Sequence, residues 1–101
     1  MGLFSFIFGA KKRQVEDYLK NGAVILDVRT HREWNLGHIE NSVHIPLDVL
    51  QHRVNDVKAL NKPVIVCCES GVRSAKAAKF LNLQNIEATN GGGWVRLQDK
   101  L

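Results

Sequence analysis

The sequence predicts a single α/β domain: a parallel sheet of four or five strands, flanked by helices on both faces. Three observations carry that expectation. Val64-Ile65-Val66 is a β-branched run behind Pro63, which reads as a buried strand. Ala23 to Val28 opens with a second unbroken apolar run, as a strand covered on both faces requires. Segments of helical spacing alternate with these runs, and such alternation argues for parallel strands joined by helical crossovers.

Taken in order, Met1 to Ala10 holds Leu3, Phe4, Phe6, Ile7 and Phe8, an apolar cluster too short to span a bilayer. It has no positive stretch before the apolar one, so a secretory signal is not expected. Phe6 stands where a myristoylation signal needs Ser or Thr. Residues 1–10 are read as a segment folded onto the domain. The alternative is a weak membrane-surface contact, with Lys11, Lys12 and Arg13 facing lipid headgroups.

The domain proper runs over residues 11–101. Lys11 to Lys20 predicts a helix with Val15, Tyr18 and Leu19 on one face, closed by Asn21-Gly22. The strand Ala23 to Val28 follows. Thr30-x-x-Glu33 is a capping box, so a short helix should run from His31 towards Leu36 and stop at Gly37. Ser42 to Ile45 allows a brief strand before Pro46. Leu50, Val54, Val57 and Leu60 recur at helical spacing beyond Leu47. Pro63 to Cys67 is the next strand, and the helix Ser74 to Leu83 follows with Ser74 as its N-cap. Asn85 to Thr89 is the last strand, Gly91-Gly92-Gly93 a flexible turn, and Trp94 to Leu101 a closing helix.

The totals exclude several functions. A chain of 101 residues, 45% apolar and 24% charged, supports one domain with one modest core. The formal charge of +4 raises the question of nucleic acid, but apart from Lys11-Lys12-Arg13 the basic residues are scattered and aromatics are few. A basic surface suits small anionic substrates equally well. No nucleic-acid partner is expected. The two cysteines are adjacent, which gives neither a disulfide framework nor a metal-binding spacing. No metal is expected, and free thiols fit a reducing, cytoplasmic setting.

Chemistry is expected at Cys68. It lies where a strand ends and a helix begins, beneath unpaired backbone N–H groups and the positive end of the helix dipole. Both favour a thiolate. Cys67, one residue earlier, should face the other side of the strand and belong to the core.

The loop Cys68-Glu69-Ser70-Gly71-Val72-Arg73-Ser74 resembles the active-site loop of the rhodanese (sulfurtransferase) family. Leu26-Asp27-Val28-Arg29, Glu33-Trp34-Asn35-Leu36-Gly37-His38-Ile39 with Ile45-Pro46, and Gly91-Gly92-Gly93-Trp94 resemble the family in the same order. Together these stretches cover residues 23 to about 98. The resemblance implies a single rhodanese-like domain that moves sulfane sulfur through a Cys68 persulfide. The donor would be thiosulfate or a persulfide, and the acceptor a thiol, cyanide or a protein sulfur carrier. No organic cofactor is implied. Backbone N–H groups of Glu69, Ser70, Gly71, Val72, Arg73 and Ser74 would hold the sulfur anion. Arg73 would contact an anionic donor or brace the loop through a carboxylate. Asp27, Arg29 and Glu33 match an acidic–basic–acidic pattern read as structural, and His38 is read as supporting the fold.

Two further readings stay open. Counted from Cys67, the loop is C-x5-R, which resembles cysteine-dependent phosphatases; counted from Cys68 it is C-x4-R. Gly71 falls three residues after Cys68, which favours the shorter register. A sulfur-carrier or interaction module with little turnover is the non-enzymatic alternative. Glu69 departs from the basic residue usual in the family, and a negative charge there should repel thiosulfate.

Overall fold

The computed structural model describes residues 14–101, so the expectations for residues 1–13, including the apolar segment and its membrane-surface contact, lie outside the described residues. A helix over residues 14–20 (α1) buries Val15 and Tyr18. The chain continues through β1 (Val24–Asp27), α2 (His31–Asn35), β2 (Val43–His44), α3 (Leu47–Leu50) and α4 (Val54–Ala59). Then come β3 (Val64–Cys68), α5 (Val72–Leu83), β4 (Ala88–Gly93) and α6 (Trp94–Gln98). The capping box forms as expected at α2: Glu33 N–H donates to Thr30 Oγ1 at 3.2 Å, and Thr30 N–H donates to Glu33 Oε1 at 3.0 Å.

Among the described residues the four strands are all parallel, in the order β2-β1-β3-β4. β1 and β3 therefore hold the centre, and all five residues of β3 are buried. Because successive strand residues face opposite sides, β3 feeds two separate cores. Val64, Val66 and Cys68 join Leu26, Val28, Leu50, Val57, Ala77 and Leu81 on the face covered by α3, α4 and α5. Ile65 and Cys67 join Val15, Tyr18, Ile39 and Leu97 on the face covered by α1 and α6. Helices thus cover both faces of the sheet. No helix among the described residues is long and apolar enough to cross a membrane.

Three segments depart from the sequence expectation. The Leu47–Leu60 stripe is two short helices, α3 and α4, separated at residues 51–53, where His52 N–H and Arg53 N–H close turns onto Val49 and Leu50 carbonyls. The apolar spacing survives the break because Leu50 and Val57 still enter the same core. The last strand starts at Ala88, and the three glycines are part of it rather than a flexible turn. Close packing explains the composition: a Cβ on Gly91 would lie 2.6 Å from Ile65 Cγ2, and one on Gly93 would lie 2.7 Å from the Glu69 carbonyl oxygen. Ser74 is not the N-cap of α5. Gly71 is, and Ser74 is the third helical residue, fully buried.

Candidate active site

β3 ends at Cys68, and the chain turns through Glu69, Ser70 and Gly71 into α5 at the carboxyl end of the sheet. In an open parallel sheet, that is where ligands bind. Gly71 adopts φ 101°, a left-handed conformation that a side chain disfavours. The turn aims donors at the sulfur. Gly71 N–H donates to Cys68 Sγ at 3.0 Å and Ser74 N–H donates at 3.4 Å, while Ser74 Oγ lies 3.2 Å away. Helix-start N–H groups without an intrahelical acceptor are here spent on a thiol.

The two cysteines, both free and both buried, respond oppositely to their surroundings. Burial pushes the Cys68 thiol up, but the Ser74 hydroxyl and the N–H groups of Ser74, Gly71 and Ser70 outweigh it, and its pKa falls below the ordinary value. Among the described residues Cys67 has no such donors. Burial, and then the charge of Asp27, push it up to about 12. Cys68 has no exposed surface, so the loop closes over the sulfur, while Glu69, Ser70 and Val72 face solvent.

Two ion pairs hold the loop. Arg73 Nη1 and Nη2 donate to Glu33 Oε1 and Oε2 at 2.6 and 2.8 Å, tying the start of α5 to α2. This bidentate bond is the main reason the Glu33 carboxyl falls to about 2. Deeper down, Arg29 is fully engaged. Its Nε and Nη2 donate to Asp27, Nη1 donates to the Glu33 carbonyl at 3.2 Å, and Nη2 donates to the Gly37 carbonyl at 2.7 Å. The buried charge is thereby compensated. The guanidinium also lies over the Trp94 ring, 4.7 Å from its centroid.

The Glu69 carboxylate turns towards α6: Trp94 Nε1–H donates to it at 3.1 Å, and Arg29 Nη1 lies 3.9 Å away. Its charge therefore has a donor and lies near a cation that Asp27 already pairs, next to the thiol but not directed at it. His38 stays apart from the loop. It is exposed, stacked on Trp34 with centroids 3.5 Å apart, and its Nδ1–H donates to the Trp34 carbonyl at 2.9 Å. His44 stacks on the same indole at 4.6 Å, and its Nε2–H donates to the Arg29 carbonyl at 2.8 Å.

Sequence reasoning missed Asn90. Its Oδ1 accepts from Ser74 Oγ at 2.6 Å and from Gly92 N–H at 2.9 Å, and its Nδ2 donates to the Gly71 carbonyl at 3.0 Å. An asparagine before a glycine run reads as a turn residue, and nothing in the sequence ties it to Cys68. The identity of the carboxylate that takes Arg73 was also open, since Glu33 is 40 residues away in the chain.

Comparison with known proteins gives a consistent family. A family model described as "Rhodanese-like domain" matches residues 11–99. A crystal structure of a rhodanese-like domain protein from Staphylococcus aureus aligns with TM-score 0.68 and 34% identity, covering 75% of this chain and 74% of that one. The human single-domain sulfurtransferase TSTD1 aligns with TM-score 0.66 at 24% identity over 87% of this chain and 91% of that chain, a likeness of fold. The tRNA uridine(34) hydroxylase of Photorhabdus laumondii is 28% identical over 91 residues, covering 81% of this chain. The chain spans only 26% of the length of that curated relative.

Proposed function

The chain belongs to the rhodanese-like domain family, and from that footing we propose that it is a sulfurtransferase in which Cys68 carries sulfane sulfur from a donor to a thiophilic acceptor. The observation that carries this reading is the convergence of the Gly71 and Ser74 N–H groups and the Ser74 hydroxyl on Cys68 Sγ. Such a nest stabilises sulfur as an anion, which both halves of a double displacement need. In the first half, the Cys68 thiolate attacks the outer sulfur of thiosulfate. The donor S–S bond breaks, sulfite leaves with the electron pair, and Cys68 becomes a persulfide. In the second half, a thiolate or cyanide attacks the outer persulfide sulfur and the Cys68 thiolate is restored.

The other residues support this arrangement. Arg73 acts through Glu33 as a brace, and Asp27 with Arg29 fixes the floor beneath Trp94. Cys67 belongs to the opposite core, so the longer, phosphatase-like register lacks a nucleophile facing the loop. A steady-state assay with thiosulfate and cyanide tests the proposal: thiocyanate should form with double-displacement kinetics and stop in Cys68→Ser. A sulfur-carrier module with little turnover is the second reading, favoured by the absence of exposed surface on Cys68. Sulfur loading without thiocyanate turnover would select it.

A further inference from the structure

The Ser74 hydroxyl has one proton and two claimants. Asn90 Oδ1 lies 2.6 Å from Ser74 Oγ, and Cys68 Sγ lies 3.2 Å from it. Other bonds fix which way the Asn90 amide points. Gly92 N–H donates to Oδ1 and Nδ2 donates to the Gly71 carbonyl, so a flipped amide would set donor against donor and acceptor against acceptor. Oδ1 is therefore an acceptor, and the short contact requires Ser74 to donate to it. A hydroxyl has a single O–H and two lone pairs. Towards Cys68, Ser74 is then left as an acceptor, taking the thiol S–H.

We propose that Asn90 is a positioning residue that holds the Ser74 proton while Cys68 is a thiol and releases it to the sulfur once an anion forms. The balance is simple. The Cys68 S–H bond breaks and its proton leaves to solvent. The Ser74 O–H, intact throughout, then turns from Asn90 Oδ1 to Sγ, so one hydrogen bond is exchanged for another. Return of a proton to Cys68 reverses the turn. Asn90 thereby competes with the sulfur anion for a donor and keeps the thiol pKa higher than a free Ser74 would. The other ionisable groups around this sulfur are Glu69 in the loop, Arg73 on α5 with its partner Glu33 on α2, the Asp27–Arg29 pair at the end of β1, and Cys67 on β3. Among the described residues none of them bonds to the Asn90 amide or the Ser74 hydroxyl. The inference rests on the sulfurtransferase reading only for its use in turnover, because thiol ionisation is measurable without it.

The test is a titration of thiolate absorbance in the full chain, with the Cys68 transition assigned by its loss in Cys68→Ser. Asn90→Ala should lower the Cys68 pKa by about one unit, roughly tenfold more thiolate below the pKa. Ser74→Ala should raise it, and in the Ser74→Ala background Asn90→Ala should shift nothing, the signature of an effect passed through one shared partner. A purely structural Asn90 predicts the opposite: a loosened loop loses the Gly71 N–H bond and the pKa rises in both backgrounds. That result overturns the proposal. Should Asn90→Ala not fold, the S–H stretching band of the wild type, assigned by its loss in Cys68→Ser, decides the matter. A hydrogen-bonded thiol donor supports the proposal, and an unbonded S–H frequency overturns it. If the titrations follow the expected pattern but wild type takes up no sulfur, the proposed function fails and the assignment of Asn90 stands.

Discussion

Cys67 and Cys68 are neighbours in the chain, equally buried, and chemically opposite. Cys67 points into the core under α1 and α6, where burial drives its pKa to about 12 and leaves it a small hydrophobe. Cys68 points to the other face, at the mouth of a loop whose donors converge on its sulfur. Burial raises both thiols, and the charge of Asp27 raises Cys67 further; only Cys68 has hydrogen-bond donors that outweigh burial and carry its pKa the other way. The lowered thiol pKa comes from a place at a strand end beneath converging donors, one residue from a position where the same side chain is shifted the other way.

The comparison breaks most visibly by mutation of the cysteines. Cys68→Ser should reduce thiocyanate formation from thiosulfate and cyanide by more than about 10³-fold, the scale of removing a nucleophile. Cys67→Ser should keep most of the rate and lose stability, read as a lower midpoint in denaturant titration. Loss of activity in a folded Cys67→Ser protein, with Cys68→Ser still active, would invert the assignment.

The brace comes next. Arg73→Ala should cost roughly 1–2 kcal/mol of stability, the scale of hydrogen bonds to charged groups, reduced by the partial exposure of both partners. Turnover should fall by about tenfold as the loop start loosens. The pH dependence has a definite sign. Glu33 has a folded pKa of about 2 against an ordinary 4.5, so its contribution to stability is fully present above 4.5 and is lost as the pH falls towards 2. Glu33→Gln should flatten the acid limb of a stability–pH curve over that window. An unchanged slope would remove the pair from the account.

A smaller effect sharpens the role of the turn. Gly71→Ala places a side chain at φ 101° and a Cβ 3.3 Å from Gly92 Cα, which should cost about 1–2 kcal/mol. The Gly71 N–H should then point less directly at Sγ, and the Cys68 pKa should rise. The mildest change is at Glu69. A repulsive carboxylate beside the thiol suggests a gain with thiosulfate on Glu69→Arg, of about several-fold at low salt. Trp94 and Arg29 already engage this carboxylate, which lowers the expected gain to at most about threefold in kcat/KM. Equal rates at low salt would mean that its charge is fully neutralised in place.

Much of this arrangement is legible in the sequence because it depends on local chemistry. The capping box at Thr30 and Glu33, the β-branched run of β3 and the opposite facing of Cys67 and Cys68 follow from spacing alone. What was not legible depends on distant partners. Ser74 reads as an N-cap because serine favours that position, whereas the observed cap is Gly71, and the Ser74 hydroxyl is engaged by Asn90 instead. The glycines of β4 read as a flexible turn because local preference sees freedom where tertiary packing imposes close approach to Ile65 and Glu69. The stripe from Leu47 to Val57 keeps its period across a break because two helices share one core.

The claim that Cys68 carries sulfur is tested most directly by the intact mass of the protein after exposure to thiosulfate, before and after reductant. A gain of one sulfur atom is expected in wild type and in Cys67→Ser, absent in Cys68→Ser and reversed by reductant. No gain in folded wild type with thiosulfate or a persulfide donor, or a gain that persists in Cys68→Ser, would contradict it.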